Sequence, residues 1–298
     1  MTIDVYIPLA LSLLLAAISP AVGRRVAPAL AARALTAAAV VTAAATVWSL
    51  VLLTVTLVDD TPPVVAEARA DGRSLVVPVP EAIGVVACLA LAAVAHRLWR
   101  AVRAEHGTRR ALRRLSEGHP RDTELIVAAS PVPQAFAIPG SPGRILVTAG
   151  MLGALRPVER RVLLAHERAH LTHRHALLVT AATLAAAANP LLSPVRATVV
   201  FLVERWADER AAAAVGDRAT TARALARAAL TAGRAKPSCA LHFTDRAVTR
   251  RVAALQSAPP PHLRSVAVAV LALGALPALG AADATGDLLR LLSHVLPH

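Results

Sequence analysis

The sequence predicts an α+β domain, a small sheet with several helices, hung from a multi-span helical membrane part. Three observations lead there. The chain is 56% hydrophobic but only 2% aromatic, with a mean hydropathy of +0.55, which exceeds what an ordinary soluble core of 298 residues requires. Three apolar runs in its first hundred positions approach the roughly 20 helical residues that a 30 Å hydrocarbon layer demands. In mid-chain the pattern changes to short β-rich runs punctuated by proline and glycine, followed by helical periodicity.

In chain order, the expected spans cover 5–22, 35–58 and 82–98. The first is read as a span, not a cleaved leader, because Asp4 stands where a signal peptide carries Lys or Arg. A fourth stretch, 266–282, is shorter and holds Gly274, Pro277 and Gly280, so its competing reading is a buried soluble helix.

The net charge of +13 is almost wholly arginine, Lys236 being the only lysine. Its placement orients the spans, because short cytoplasmic loops collect Lys and Arg. The first connection carries Arg24, Arg25 and Arg33 with no acid, whereas the second holds Asp59, Asp60, Glu67, Asp71 and Glu81 against Arg69 and Arg73. After the third span come Arg97, Arg100, Arg103, Arg109, Arg110, Arg113, Arg114 and Arg121. The arrangement that satisfies all three has the amino terminus outside and three helices within 1–98. Residues 99–263 then form a cytoplasmic domain, and 264–298 a fourth helix with a short external tail. The arginine run reads as a helix on anionic headgroups; nucleic acid is not expected as a partner, since no aromatic residues interleave as a stacking platform. Cys88 and Cys239 offer no paired framework and no C-x-x-C spacing, which suits a reducing compartment.

Within the polar part, 125–129, 135–138 and 145–148 are expected strands, and 157–175 a helix opened by Pro157. The apolar stretch 176–203 is cut at Asn189-Pro190 and Ser193-Pro194 into two helices, followed by a helix over 205–231 with a break near Gly216 and a linker at 258–261.

The residues that carry chemistry lie on the first of these helices. His166-Glu167-Arg168-Ala169-His170 is an H-E-x-x-H pattern; four residues exceed one helical turn slightly, so both imidazoles leave one face and can bind one zinc ion, with Glu167 beside the open position as general base. Catalytic zinc takes three protein donors plus water, and Glu204 supplies the third. Four residues on, Asp208 can accept a hydrogen bond from a ligand imidazole. His173 and His175 are read as a polar helix end, with the oxyanion-stabilising or substitute-ligand role as the alternative. His242, His294 and His298 have no geometric claim.

At these residues the chain resembles the BlaR/MecR-type integral-membrane zinc peptidases of the gluzincin group. The resemblance runs through Gln134-Ala135-Phe136-Ala137-Ile138-Pro139-Gly140, Arg144-Ile145-Leu146-Val147-Thr148, Leu164-Ala165-His166-Glu167-Arg168-Ala169-His170, Asn189-Pro190-Leu191, and Glu204 through Asp208-Glu209, about half the chain. It implies a zincin domain in a bacterial-type cell membrane, one Zn²⁺ per chain on His166, His170 and Glu204, Glu167 as base and later acid, and Asp208 behind the ligands. It also implies that Ala135, Phe136, Ala137 and Ile138 form the edge on which a peptide lies. The implied partners are the bilayer and a protein substrate such as a cytoplasmic transcriptional repressor, oligomerisation being left open. The HtpX-like membrane proteases share the zinc residues and are the alternative likeness, while a zinc-holding scaffold is the non-catalytic one. The sensory BlaR/MecR members end in a penicillin-binding domain; no Ser-x-x-Lys occurs here, so covalent β-lactam sensing is not expected.

Overall fold

The computed structural model describes residues 7–59, 81–120, 122–234, 241–259 and 261–295. The acidic loop that orients the spans, Arg121 of the arginine run, Lys236, Cys239 and His298 lie outside the described residues. Three long helices open the chain: α1 (Ile7–Arg25), α2 (Pro28–Asp59) and α3 (Glu81–Ser116). All three are long and apolar enough to cross a membrane, the second over Pro28–Thr54 and the third over Ala82–Ser116.

The third span and the arginine run are one uninterrupted helix, not a span followed by a separate surface helix. Nothing between Leu98 and Ser116 breaks it, because the lone Gly107 costs a helix interior only about 1 kcal/mol. Arg144 meets its end, donating from Nη1 to the Ser116 carbonyl at 2.7 Å and from Nη2 to that of Pro120 at 3.0 Å. A guanidinium there satisfies carbonyls that the helix cannot.

Next comes a three-stranded sheet, β1 (Leu125–Ala128), β2 (Ala135–Ile138) and β3 (Arg144–Thr148), in the order β1-β3-β2. The central β3 is buried along its length, pairing parallel with β1 and antiparallel with β2, so Ala135 faces Val147 and Ala137 faces Ile145. Its alternation serves two cores: Ile145 and Val147 pack with Leu163, Leu164 and Leu171, while Leu146 joins Ile126, Ile138 and Leu112 of α3.

Thr148 caps the short α4 (Ala149–Ala154), accepting from Met151 N, and α5 (Pro157–Thr172) follows. Pro157 starts α5, and the Glu159 carboxylate reaches back to Arg156 N at 2.8 Å. The rest of the chain is α6 (His175–Ala188), a 3₁₀ turn (Pro190–Leu192), α7 (Ser193–Val215), α8 (Arg218–Arg234), α9 (Leu241–Gln256) and α10 (Arg264–Val295).

α6 and α7 form a hairpin packed into the α1 and α2 bundle, where Ala182, Ala185, Leu192, Val195 and Val199 join Leu15, Val26 and Leu35 in the main core. Asn189 pins its tip. The side chain accepts from Leu191 N and donates to Ser12 Oγ at 2.7 Å and to Thr46 Oγ1 at 3.0 Å. Gly23 lets α1 approach α7: a Cβ there would stand 2.9 Å from the Thr198 methyl.

One further sequence expectation needs correction. No helix boundary falls between Val203 and Arg205, because α7 runs unbroken from Ser193 to Gly216, whose φ of 77° ends it in the left-handed region open to glycine. The fourth apolar stretch lies within one helix, α10, which carries Pro277 inside it, and among the described residues its Arg264–Ala278 part forms an apolar helical segment.

Candidate metal centre

α5 and α7 cross with Val162 and Ala165 of the first against Ala211 and Val215 of the second. That contact brings together residues nearly forty positions apart. His166 Nε2 and His170 Nε2 lie 3.1 Å apart, and the Glu204 carboxylate lies 3.6 Å from each, through Oε2 and Oε1 respectively. The three groups offer donor atoms all within 4.8 Å of one another.

Zinc with donors at about 2.0–2.1 Å in a tetrahedron needs donor separations of about 3.3–3.4 Å. The observed triangle is close to one face of that tetrahedron. Its donor chemistry, two imidazoles and a carboxylate, is that of a catalytic site with a fourth position left for water. The residues therefore fit the ion.

Asp208, 3% exposed, stands behind the centre with Oδ1 3.0 Å from His166 Nδ1. In the metal-free protein burial opposes charge on His166, but the Asp208 and Glu204 carboxylates outweigh it and raise its pKa from the ordinary 6.5 to about 10. At His170 burial prevails and lowers the pKa to about 4, the charges of His166 and Arg251 adding to the effect and the Glu204 and Asp208 carboxylates opposing it only in part. Burial also favours a protonated Glu204, yet the His166 hydrogen bond and the Arg251 charge hold its carboxyl below the usual range.

Glu167 is only 8% exposed. Burial raises its carboxyl pKa, partly countered by the charge of His166 and by the Ala137 N–H that it accepts. Its basicity is thus shifted towards the neutral range that proton transfer requires. With His166 and Glu204 it lines a cleft of about 480 Å³ that runs past Gln134, Ala135 and Phe136 on one side and the Ala224, Ala228 and Ala232 face of α8 on the other. β2 is an edge strand, paired among the described residues only with β3. Since Ala137 turns its N–H to Glu167, away from β3, the outward backbone positions are Ala135 and Ala137.

Of two further residues at the centre, sequence reasoning did not pick out one and misread the other. Arg251 of α9 donates from Nε and Nη2 to the two Asp208 oxygens, each at 2.7 Å, and from Nη1 to Glu204 Oε2 at 2.8 Å. No local signal marks it among so many arginines. His175 is the second, and the polar-helix-end reading fails for it. His173 does cap α5, but His175 opens α6 at 1% exposure with its Nδ1 3.1 Å from His170 Nδ1. Five residues from His170 is not a helical repeat, so spacing gave no signal for it.

The sequence model of peptidase family M48 matches residues 101–193, just under a third of the chain. No curated protein and no solved structure matches. The match stands at the level of a metallopeptidase and does not separate the BlaR/MecR and HtpX likenesses. Residues 101–193, with the two histidines and Glu167, are thus similar to the zinc-dependent peptidases of family M48, and Glu204 reaches the same centre from beyond that segment.

Proposed function

We propose that the chain is a membrane-anchored zinc endopeptidase with its catalytic domain on the cytoplasmic side. The observation that carries the reading is the triangle of His166, His170 and Glu204 beside a buried Glu167 in an open cleft. A metal-holding scaffold needs the triangle but has no use for a base with raised pKa. When bound, zinc supplies a Lewis acid that polarises a carbonyl and lets a water ionise near neutral pH.

The chain's own residues do the rest. Glu167 takes the proton of the attacking water and returns it to the departing amine, which keeps the proton balance within one site. Asp208 holds His166 by Nδ1, and Arg251 holds both Asp208 and Glu204, so neither carboxylate swings out of place. An extended peptide adds to β2 through the outward backbone of Ala135 and the carbonyl of Ala137, main-chain bonds that set register without reading sequence. The alanine wall of α8 leaves room beside the scissile bond for an apolar side chain. A cytoplasmic repressor is the substrate class suggested by the BlaR/MecR likeness, and a membrane protein the one suggested by the HtpX likeness.

The test is proteolysis of an unstructured protein by the full chain purified in detergent, before chelation, after chelation and after zinc return. Activity that vanishes and comes back with about one zinc per chain supports the reading. Zinc binding with no hydrolysis of any substrate favours the scaffold instead.

A further inference from the structure

His175 has no place in the chemistry just described, yet it is among the most buried side chains of the protein. The chain bends sharply to put it there. Arg174, between α5 and α6, has φ 52°, the only non-glycine residue in the left-handed region among those described, and a residue with a Cβ keeps that strained conformation only where its surroundings hold it. The bend returns His175 against His170 with rings at 89° and the two Nδ1 atoms 3.1 Å apart. Trp206, itself 5% exposed, walls the His175 ring at 4.6 Å and carries His173 stacked at 4.7 Å and the Arg33 guanidinium of α2 at 4.6 Å. The other nitrogen of His175, Nε2, is buried and has no hydrogen-bond partner among the described residues.

Two neutral imidazoles that face each other nitrogen to nitrogen share one proton, and its position matters. With the proton on His170 Nδ1, His170 Nε2 keeps its lone pair, aimed at the space between His166 and Glu204. With the proton on His175 Nδ1, His170 must carry hydrogen on Nε2, where it blocks ligation. The first arrangement requires His175 to accept through Nδ1 and to bear its own hydrogen on the orphaned Nε2.

We propose that His175 is a positioning residue, which accepts the Nδ1–H of His170 and so holds that ligand in the tautomer and orientation that present Nε2 to the metal, with Trp206 fixing the ring of His175. This rests on His170 being a zinc ligand. It complements Asp208, which does the same for His166, so each histidine of the motif has its own acceptor.

The test is zinc affinity of the full chain in detergent, read by competition with a chromophoric chelator, together with the visible spectrum of the cobalt(II)-substituted protein. His175→Phe keeps a ring against Trp206 but removes the acceptor, and should weaken zinc binding by about 10 to 100-fold and shift the cobalt bands. His175→Asn, which can present an acceptor oxygen, should restore both towards wild type. Equal affinity in His175→Phe and wild type would overturn the proposal, and so would a His175→Asn protein as weak as His175→Phe, since packing alone would then explain the position. If His175→Phe does not fold, ¹⁵N spectra of histidine-labelled wild-type protein with zinc decide: protonated Nδ1 on His170 is expected, and protonated Nε2 refutes it. A wild-type chain that binds no zinc contradicts the ligand assignment, whereas failure of the role of His175 shows only in the variants and the tautomer.

Discussion

Arg251→Met removes a cation from between two carboxylates while keeping much of the aliphatic stem. In the metal-free protein it strips Asp208, 3% exposed, of a bidentate partner with both bonds at 2.7 Å, and Glu204 of its 2.8 Å bond. Breaking a buried pair by removing one partner costs about 3–5 kcal/mol, because the surviving charge stays out of water. At about 2–4 °C per kcal/mol for a chain of this size, the midpoint of thermal unfolding in chelator should fall by about 6–20 °C. Zinc would supply positive charge to Glu204 and, through His166, to Asp208, so the deficit should shrink when zinc is present. Its affinity should drop by about 10 to 100-fold, since the residues behind the ligands are loosened and the ligands themselves remain. The assay is a pair of melting curves, with chelator and with zinc, for wild type and variant. An Arg251→Met protein that melts with wild type in chelator would refute the reasoning, as would a deficit that zinc enlarges.

Three further expectations follow from the same geometry. Metal content should be about one zinc per chain, with His166→Ala and Glu204→Ala each losing it; full occupancy in either variant contradicts the ligand set. His166 titrates higher in the folded metal-free protein, at about 10, than its ordinary 6.5. Its contribution to apoprotein stability is thus complete below pH 6.5 and is lost as pH rises through about 10, and zinc uptake near pH 7.5 should release about one proton per site in weakly buffered solution. A melting temperature in chelator that climbs over that range would show the sign to be wrong. From the arginine asymmetry, a reporter active only in the cytoplasm should work when fused after Arg121 and fail when fused after Gly72; the reverse inverts the topology.

Much of the candidate metal centre could be read from spacing alone, because His166 and His170, or Glu204 and Asp208, lie one helical turn apart and an α-helix turns such pairs to one face whatever the rest of the fold does. His175 could not be, since its burial depends on one residue, Arg174, entering the left-handed region, which nothing in an arginine foretells. Arg251 is further still from local rules: it reaches the centre only because α9 packs on α8 and sets Val252 and Leu255 against Ala212 and Ala222. The misplaced boundary near Glu204 has a plainer cause. The Ser193-Pro194 start and the Gly216 stop were both visible, but the change from apolar Val199 and Val203 to charged Glu204 and Arg205 looked like a helix end, when it marks one helix passing from the bundle core into the metal centre.

The central claim is that Glu167 is a base and not merely a neighbour of the metal. Glu167→Gln keeps the length and hydrogen-bonding reach of the side chain, including an oxygen for the Ala137 N–H, and removes its basicity. Measured on the full chain in detergent, with zinc quantified in the same sample, this variant should hold zinc as wild type does while hydrolysing a protein substrate about 10² to 10⁴-fold more slowly. A Glu167→Gln protein with zinc in place and wild-type proteolysis would contradict the account.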